Sequence, residues 1–378
     1  MPWQECSIMS LRREFVTLAA QEGANIALLC RRYAISRKTG YKWLRRNQTG
    51  DKDALVDRSR RPAVSPRRSA AATEQSVLAV REEHPAWGGR KIRRRLQDLG
   101  TPTPPAASTI TAILHRYGCI DASESAKRQA VQRFEAAHPN DLWQMDFKGH
   151  FPLSQGRCHP LTVLDDYSRF ALAIVACPSE KEQTVRAHLI TIFRRCGLPQ
   201  RMLMDNGSPW GASDVESETS LGVWLMRLGI QITHGRPYHP QTQGKDERFH
   251  QTLQVEVIGR QTFTDIPTCQ QRFDAWRTVY NFERPHEALG LAVPASRYRI
   301  SPRPFPETMP PIEYGVGDIV RIVQGKGEIS FQNREFKIGQ GFRGQPVALR
   351  RTTTDGVYHV FFCQSLVASI DLQAYTDP

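Results

Sequence analysis

HPLTVLDDYSRFALAIVA, residues 159 to 176, sets the fold class. Two apolar runs meet at an Asp-Asp-Tyr-Ser turn and read as a pair of strands, with Asp165 and Asp166 as turn and strand-end groups. Upstream, WQMDF (143–147) alternates, with Trp143, Met145 and Phe147 on one face and Gln144 and Asp146 on the other. That is another strand. Downstream, EKEQTVRAHLITIFRRCG (180–197) reads as an amphipathic helix, and RMLMDNGSPW (201–210) as a strand ending on Asp205 in an Asp-Asn-Gly turn. SLGVWLMRLG (220–229) is a second helix, QITHG (231–235) a short strand, and a third helix runs to about Ile258. Three strands, then helix, strand, helix, strand, helix is the order of an α/β core, a mixed sheet with helices packed on it, over 135–300.

The third helix opens in PYHPQTQGKDERFHQTL (237–253), where Asp246 and Glu247 stand side by side. At about 100° per residue, Asp246 points within about 40° of the stripe Phe249, Leu253, Val257, whereas Glu247 falls in line with Gln251 and Gln254. Glu247 is therefore the acid on the polar face. Asp246 reads as a first-turn charge favoured by the helix dipole.

The rest of the chain divides around this core. Of the 378 residues, 1–135 hold 25 Lys/Arg against 13 Asp/Glu, so an excess of 12 out of a net +13 lies in the first third. A basic arm on a near-neutral body is the footprint of a nucleic-acid-binding protein. SLRREFVTLAAQEG (10–23), IALLCRRYA (26–34) capped by Asn25, and RKTGYKWLRR (37–46) capped by Ser36 give helix, helix, tight turn, basic helix. This is a helix-turn-helix unit over 1–50, with Leu28, Leu29, Ile35 and Leu44 as core candidates. Arg37, Lys38, Thr39, Tyr41, Lys42, Arg45 and Arg46 are its candidates for groove and phosphate contacts, and Gly40 is a cost of roughly 1 kcal/mol against alanine. A basic linker (51–72) adds Arg58, Arg60 and Arg61. A second all-α, helix-turn-helix-like unit (73–120) comprises TEQSVLAVREEH, GGRKIRRRLQDLG and a helix capped by Ser108, with Arg90, Lys91 and Arg94 as DNA contacts. Beyond the core, Pro-rich SPRPFPETMPP (301–311) marks a boundary, and 312–375 alternates between turns as a small all-β barrel does.

Other classes are set aside. The eight cysteines are scattered with no C-x-x-C pair, so neither a disulfide framework nor a cysteine zinc site is expected. FALAIVAC (170–177) is too short to span a bilayer and the N-terminus lacks a signal pattern, which gives a cytoplasmic protein with no membrane partner.

WQMDF, LDDYSRF, MDNGSPW, RPYHPQTQGKDERFHQTL and YNFERPHEALG, in that order, resemble the DDE-type transposases of bacterial insertion sequences, whose ribonuclease H-like core is shared with retroviral integrases. The resemblance covers 135–300 closely and the two flanks more loosely, where the tail is SH3-like in relatives. It implies a catalytic, metal-binding triad of Asp146, Asp205 and Glu247, holding two Mg²⁺ or Mn²⁺ ions for in-line phosphoryl transfer. It implies double-stranded DNA as partner, both the terminal inverted repeats and the target, and a homodimer or higher oligomer, because an element has two ends. A bacterial, nucleoid-associated location follows. One departure is the stretch of 41 residues between Asp205 and Glu247, in which ASDVESETS supplies rival acids Asp214, Glu216 and Glu218. The runner-up is a DNA-binding regulator that has lost catalysis; a stand-alone nuclease would not need two basic helical units.

A fragment of residues 1–135 is expected to bind DNA without the core, and its affinity to fall steeply with added salt as counterions are released. Filter binding or fluorescence anisotropy across a salt series checks this; salt-insensitive binding, or none, removes the arm hypothesis.

Overall fold

The computed structural model describes residues 7–49, 53–57, 68–120, 135–205, 207, 210, 218–234 and 244–374. They fall in two compact units, Met1–Ser69 and Ala70–Pro378. In the first, α1 (Ile8–Ala19), α2 (Ile26–Arg32) and α3 (Arg37–Asn47) are each started by a side chain that accepts from an otherwise orphaned amide. Ser7 accepts from Ser10 N, Asn25 from Leu28 N and Ser36 from Thr39 N, all at 3.1 Å. The turn between α2 and α3 passes through Ala34 at φ 51°. Phe15, Val16, Cys30, Trp43 and Leu55 form the core, and Leu29, Ile35 and Leu44 pack on it. Leu28 does not; it is 63% exposed, because Ile26, Leu29, Cys30 and Tyr33 define the inner face of α2.

The second unit begins with α4 (Ala71–Glu83), α5 (Gly89–Asp98) and α6 (Ala107–Arg116), closed around Val77, Val80, Trp87, Ile92, Leu96, Ile110, Ile113 and Leu114. Ser108 is not the cap of α6. The helix starts two residues earlier, at Ala107, and its N-cap is Ala106, with no side-chain hydrogen bond.

The core follows with β1 (Leu142–Phe147), β2 (Phe151–Pro152), β3 (Arg157–Asp165), β4 (Ala171–Cys177), α7 (Glu182–Cys196), β5 (Arg201–Met204), α8 (Ser220–Arg227), β6 (Gln231–His234), α9 (Gly244–Glu256) and α10 (Ile266–Phe282). The main sheet runs β4-β3-β1-β5-β6, with short β2 beside the start of β3. β4, β3 and β1 pair antiparallel, and β1, β5 and β6 parallel, a mixed sheet as expected. Trp143 and Met145 enter an apolar layer with Leu189, Phe193 and Leu225 of α7 and α8; Leu164, Ala171 and Ile174 enter one with Phe249, Leu253 and Phe273 of α9 and α10. Gln144, assigned from alternation to a polar face, is therefore only 2% exposed and donates to Asp166 Oδ1 at 2.6 Å.

The tail holds β7 (Ile319–Ile322), β8 (Glu328–Phe331), β9 (Arg334–Lys337), β10 (Pro346–Arg351), β11 (Val357–Phe362) and β12 (Ser365–Asp371). It is all-β, but its sheets are open where a closed SH3-like barrel was expected: a four-stranded sheet, β12-β11-β10-β7, and a separate β8-β9 hairpin. Ile329 and Phe331 of the hairpin bury against Val347, Val360 and Phe362, so it packs as a second layer and does not join the sheet edges. Val223 and Met226 of α8 share this apolar cluster, and a Cβ at Gly341 would collide with the Glu218 carbonyl. The tail is thus docked on the core.

Two stability measurements follow. A Cβ at Gly40 would lie 2.6 Å from Cys30 Sγ and 3.0 Å from Phe15 Cζ. Despite its better helix propensity, Gly40→Ala is expected to destabilise by about 1–3 kcal/mol through overpacking, read as an earlier denaturation midpoint of the first unit; a stabilised variant would show that the helices separate freely. His286 is held well below its ordinary 6.5 by burial, then by Arg284, Lys91 and Arg169. The unfolded chain takes up that proton first, so its contribution is full above about pH 6.5 and is lost as pH falls below it. His286→Gln is expected to flatten the decline of melting temperature between about pH 7 and 5, and an unchanged slope would refute the assignment.

Candidate active site

Strand β1 ends with Asp146 half-buried, paired across the ladder with Thr162 of β3. On its other side, β1 and β5 run in parallel register with Gln144 opposite Leu203. Asp205 follows β5 directly, and its charge acts on Asp146. Asp205 is exposed, and its carbonyl lies 3.2 Å from His234 Nδ1. Glu247 stands in the first turn of α9, exposed, accepting from Gln251 Nε2 at 3.1 Å. An open cleft of about 540 Å³ is lined by Asp146, Lys148, Glu247, His250, Gln251, Gln254 and Val255. Glu247 thus shares one cleft with Asp146, and the line Glu247, Gln251, Gln254 expected from the helical period is its wall.

The helix is held in this attitude at both ends. At the first turn, Lys245 Nζ lies 2.5 Å from Asp166 Oδ1, and Asp166 also accepts from Ala136 N at 2.7 Å and from Gln144. At the last, Glu256 accepts from Trp276 Nε1 at 2.9 Å and Arg284 Nε at 3.1 Å, while Phe249 packs on Tyr280 edge to face at 4.8 Å. Lys245, Glu256 and Arg284 escaped sequence reasoning, and Asp166 reads there only as a turn and strand-end group. Partners up to 79 residues apart leave no periodic trace. Asp165, read as a turn group, accepts from Asn140 N and from the amide and hydroxyl of Ser168.

The electrostatics of the cleft are unbalanced. Asp146 is pushed up to about 6, first by burial and then by the charges of Asp205 and Glu180, against a backbone hydrogen bond from Phe147. His250 is pushed down to about 4, chiefly by burial and then by Lys148; its Nε2 lies 2.8 Å from Thr162 Oγ1. Asp246 does face the apolar stripe, but it is more than a first-turn charge. It is 2% exposed, its Oδ1 has no hydrogen-bond partner, and burial followed by Asp146 and Asp166 raises it well above the usual carboxylate range. The carboxyls of Asp146, Asp205 and Glu247 do not gather within reach of one ion. Among the described residues, the group that does is Glu83, His84 and Glu283.

The rival acids and the basic contacts are placed as follows. Asp214 and Glu216 lie outside the described residues, as do Arg58, Arg60 and Arg61; Glu218 faces His234 Nε2 at 3.9 Å. On α3, Arg37, Lys38, Tyr41, Lys42 and Arg45 are exposed, whereas Thr39 bonds to Ser36 and Arg46 to the Val56 carbonyl. Lys42 also leans over Trp43 at 4.4 Å. On α5, Arg90 meets Glu287 at 3.6 Å and Arg94 bonds Asp98 at 2.9 Å; Lys91 is half-buried. The basic run of α5 is thus partly offset by neighbouring acids.

Residues 136–240 and 228–294 match two models of the integrase core domain, and 318–378 match the IS481 family transposase C-terminal domain. Residues 11–63 match a helix-turn-helix domain and 39–114 a homeodomain-like domain. The chain is 26% identical over 232 residues to the insertion element IS407 uncharacterized 31.7 kDa protein of Burkholderia multivorans, covering 59% of this chain and 80% of that protein. It is 24% identical over 251 residues to the insertion element IS476 uncharacterized 39.2 kDa protein of Xanthomonas euvesicatoria, covering 62% and 67%. A solved simian T-cell lymphotropic virus intasome aligns with 79% of this chain and 96% of its own at 15% identity, with a TM-score of 0.38, too loose a superposition to carry an argument. Among the described residues no helix is long and apolar enough to cross a membrane. Integrase-core, helix-turn-helix and transposase C-terminal segments in one chain, with two insertion-element relatives, mark it as an insertion-sequence transposase of the DDE type with a ribonuclease H-like core.

Proposed function

We propose that this chain binds the terminal inverted repeats of its insertion sequence and catalyses metal-dependent cleavage of the element's ends and their transfer into target DNA. One observation carries the reading. Asp146 and Glu247 line a single open cleft, and Asp205, directly after β5, acts on Asp146 through its charge. In this reading the exposed face of α3, with Arg37, Lys38, Tyr41, Lys42 and Arg45, meets the terminal repeat, while Arg90, Lys91 and Arg94 and the linker arginines add phosphate contacts. Two ends call for two or more copies of the chain.

The donor set fits divalent ions of the Mg²⁺ or Mn²⁺ kind. All three side chains offer hard oxygen. Asp146 is raised to about 6 because it is buried beside other acids, with too little positive charge nearby, and a bound cation reverses that deficit. Two such ions, when bound, supply an activated hydroxyl and stabilise the leaving oxygen. Asp146, Asp205 and Glu247 would hold them. Lys148, on the cleft wall, meets a phosphate oxygen, and Gln251 and Gln254 orient the DNA backbone along α9. His250, neutral at ordinary pH, keeps positive charge away from the carboxylates.

Joining of a labelled element end to a plasmid in Mg²⁺ or Mn²⁺ tests this. Asp146→Asn, Asp205→Asn and Glu247→Gln are each expected to lower joining by several orders of magnitude and leave end binding intact. Asp246→Asn is expected to keep most activity, since an amide replaces a buried carboxyl already driven towards its neutral form. Substantial joining by Glu247→Gln, or by the wild type in excess chelator, contradicts the assignment, and end binding without any joining by the wild type favours the silent regulator.

A further inference from the structure

Glu83, His84 and Glu283 offer donor atoms that all lie within 4.8 Å of one another. Glu83 and His84 are neighbours at the end of α4, and Glu283 comes from the far end of α10. His84 caps the C-terminus of α4 and Glu283 that of α10, so two helices direct the negative ends of their dipoles at one spot. His84 is 8% exposed and its Nε2 has no hydrogen-bond partner, whereas buried polar atoms ordinarily have one. Its ring is stacked on Trp87 at 3.7 Å and 9°, which fixes the plane in which that nitrogen points.

The surroundings favour a cation over a simple hydrogen bond. Glu83 Oε2 stands 3.8 Å from the orphaned nitrogen, too far for a hydrogen bond. Arg95 pairs with Glu283 through Oε2, and such an outer partner orients a ligating carboxylate. With one arginine against two glutamates, the group is still net negative.

We propose that Glu83, His84 and Glu283 form a second metal site, for a Zn²⁺-class divalent ion, fastening the helical unit of α4 to α10. One imidazole nitrogen and two carboxylate oxygens are a donor set that Zn²⁺ accepts, with water in the fourth position. Tetrahedral ligands around Zn²⁺ lie about 3.4 Å apart. Glu83, whose side chain is 62% exposed, is free to swing the remaining distance. The site shares no residue with the cleft, but α10 carries Glu283 at its end and grips Glu256 of α9 through Trp276, so the ion would tie the helical unit to the helix that carries Glu247.

The test uses the full chain, stripped with chelator and titrated with Zn²⁺ by calorimetry in excess Mg²⁺, which competes for the carboxylates of the cleft. One tight Zn²⁺ per chain is expected, with a rise in melting temperature. Glu83→Gln, a surface change that spares the fold, and Glu283→Gln are each expected to weaken it by at least about tenfold, as is His84→Ala, while Glu247→Gln retains it. Absence of tight Zn²⁺ binding, binding that survives both Glu83→Gln and His84→Ala, or binding lost in Glu247→Gln overturns the proposal.

Discussion

Asp166 is wholly buried, and it takes hydrogen bonds from Ala136 N and Gln144 Nε2 and an ion pair from Lys245. Removing a carboxylate from water costs on the order of several kcal/mol unless donors replace the solvent. Here they come from the segment before β1, from β1 itself and from the first turn of α9. None of the three is free to shift without exposing that cost. Lys245 and Glu247 are two positions apart on a helix, about 200° around its axis. Drawing Lys245 inward to Asp166 therefore turns Glu247 outward, over the end of β1 where Asp146 lies.

The opposite border of the sheet is fixed by a different device. β4 pairs with β3 alone, leaving an edge of the kind that invites pairing with other chains. Helix α10 covers it with two amides. Asn281 accepts from Ala171 N at 2.8 Å and donates to Ala171 O at 3.0 Å; Gln270 accepts from Ala176 N at 2.8 Å and donates to Ile174 O at 3.0 Å. Eleven residues separate them, about three helical turns, so both fall on one face. The helix that satisfies this edge is also the one that grips Glu256. Edge protection and the attitude of α9 are consequences of the same packing.

What the sequence revealed and what it hid divide along a physical line. Local periodicity placed Trp143 and Met145 in the core, ordered the strands and helices, and set Glu247 apart from Asp246, because each depends on a few neighbouring residues. Apart from the cap of α6 and the inner face of α2, which are local, the misreadings depended on a distant surface. Gly40 reads as a weak helix residue until Phe15 and Cys30 are seen against it. Gln144 reads as polar and outward until buried Asp166 is seen to accept from its side-chain amide. Arg95 reads as one more basic group until Glu283, 188 residues away, pairs with it. Closure of the tail into a barrel is likewise a property of where a hairpin packs, which alternation within each strand does not encode.

The balance of charge at the cleft shows how burial and proposed chemistry are linked. His250 and Asp246, flanking Glu247 along α9, are both driven towards neutrality by the same loss of water, one base and one acid. Their removal from the charge count leaves Asp146, Asp205 and Glu247 facing Lys148 among the described residues around the cleft. A fold that covered its carboxylates with ionised bases would satisfy them and leave no demand for a metal ion. This one keeps its arginines elsewhere, in pairs with Glu256, Glu283 and Glu287, and on α3, where the proposed partner is phosphate. The negative charge left at the cleft gathers around Asp146, and in the proposed reading a divalent ion bound there would lower Asp146 from about 6 and make its carboxylate a better ligand, so that ionisation and ion binding would reinforce each other.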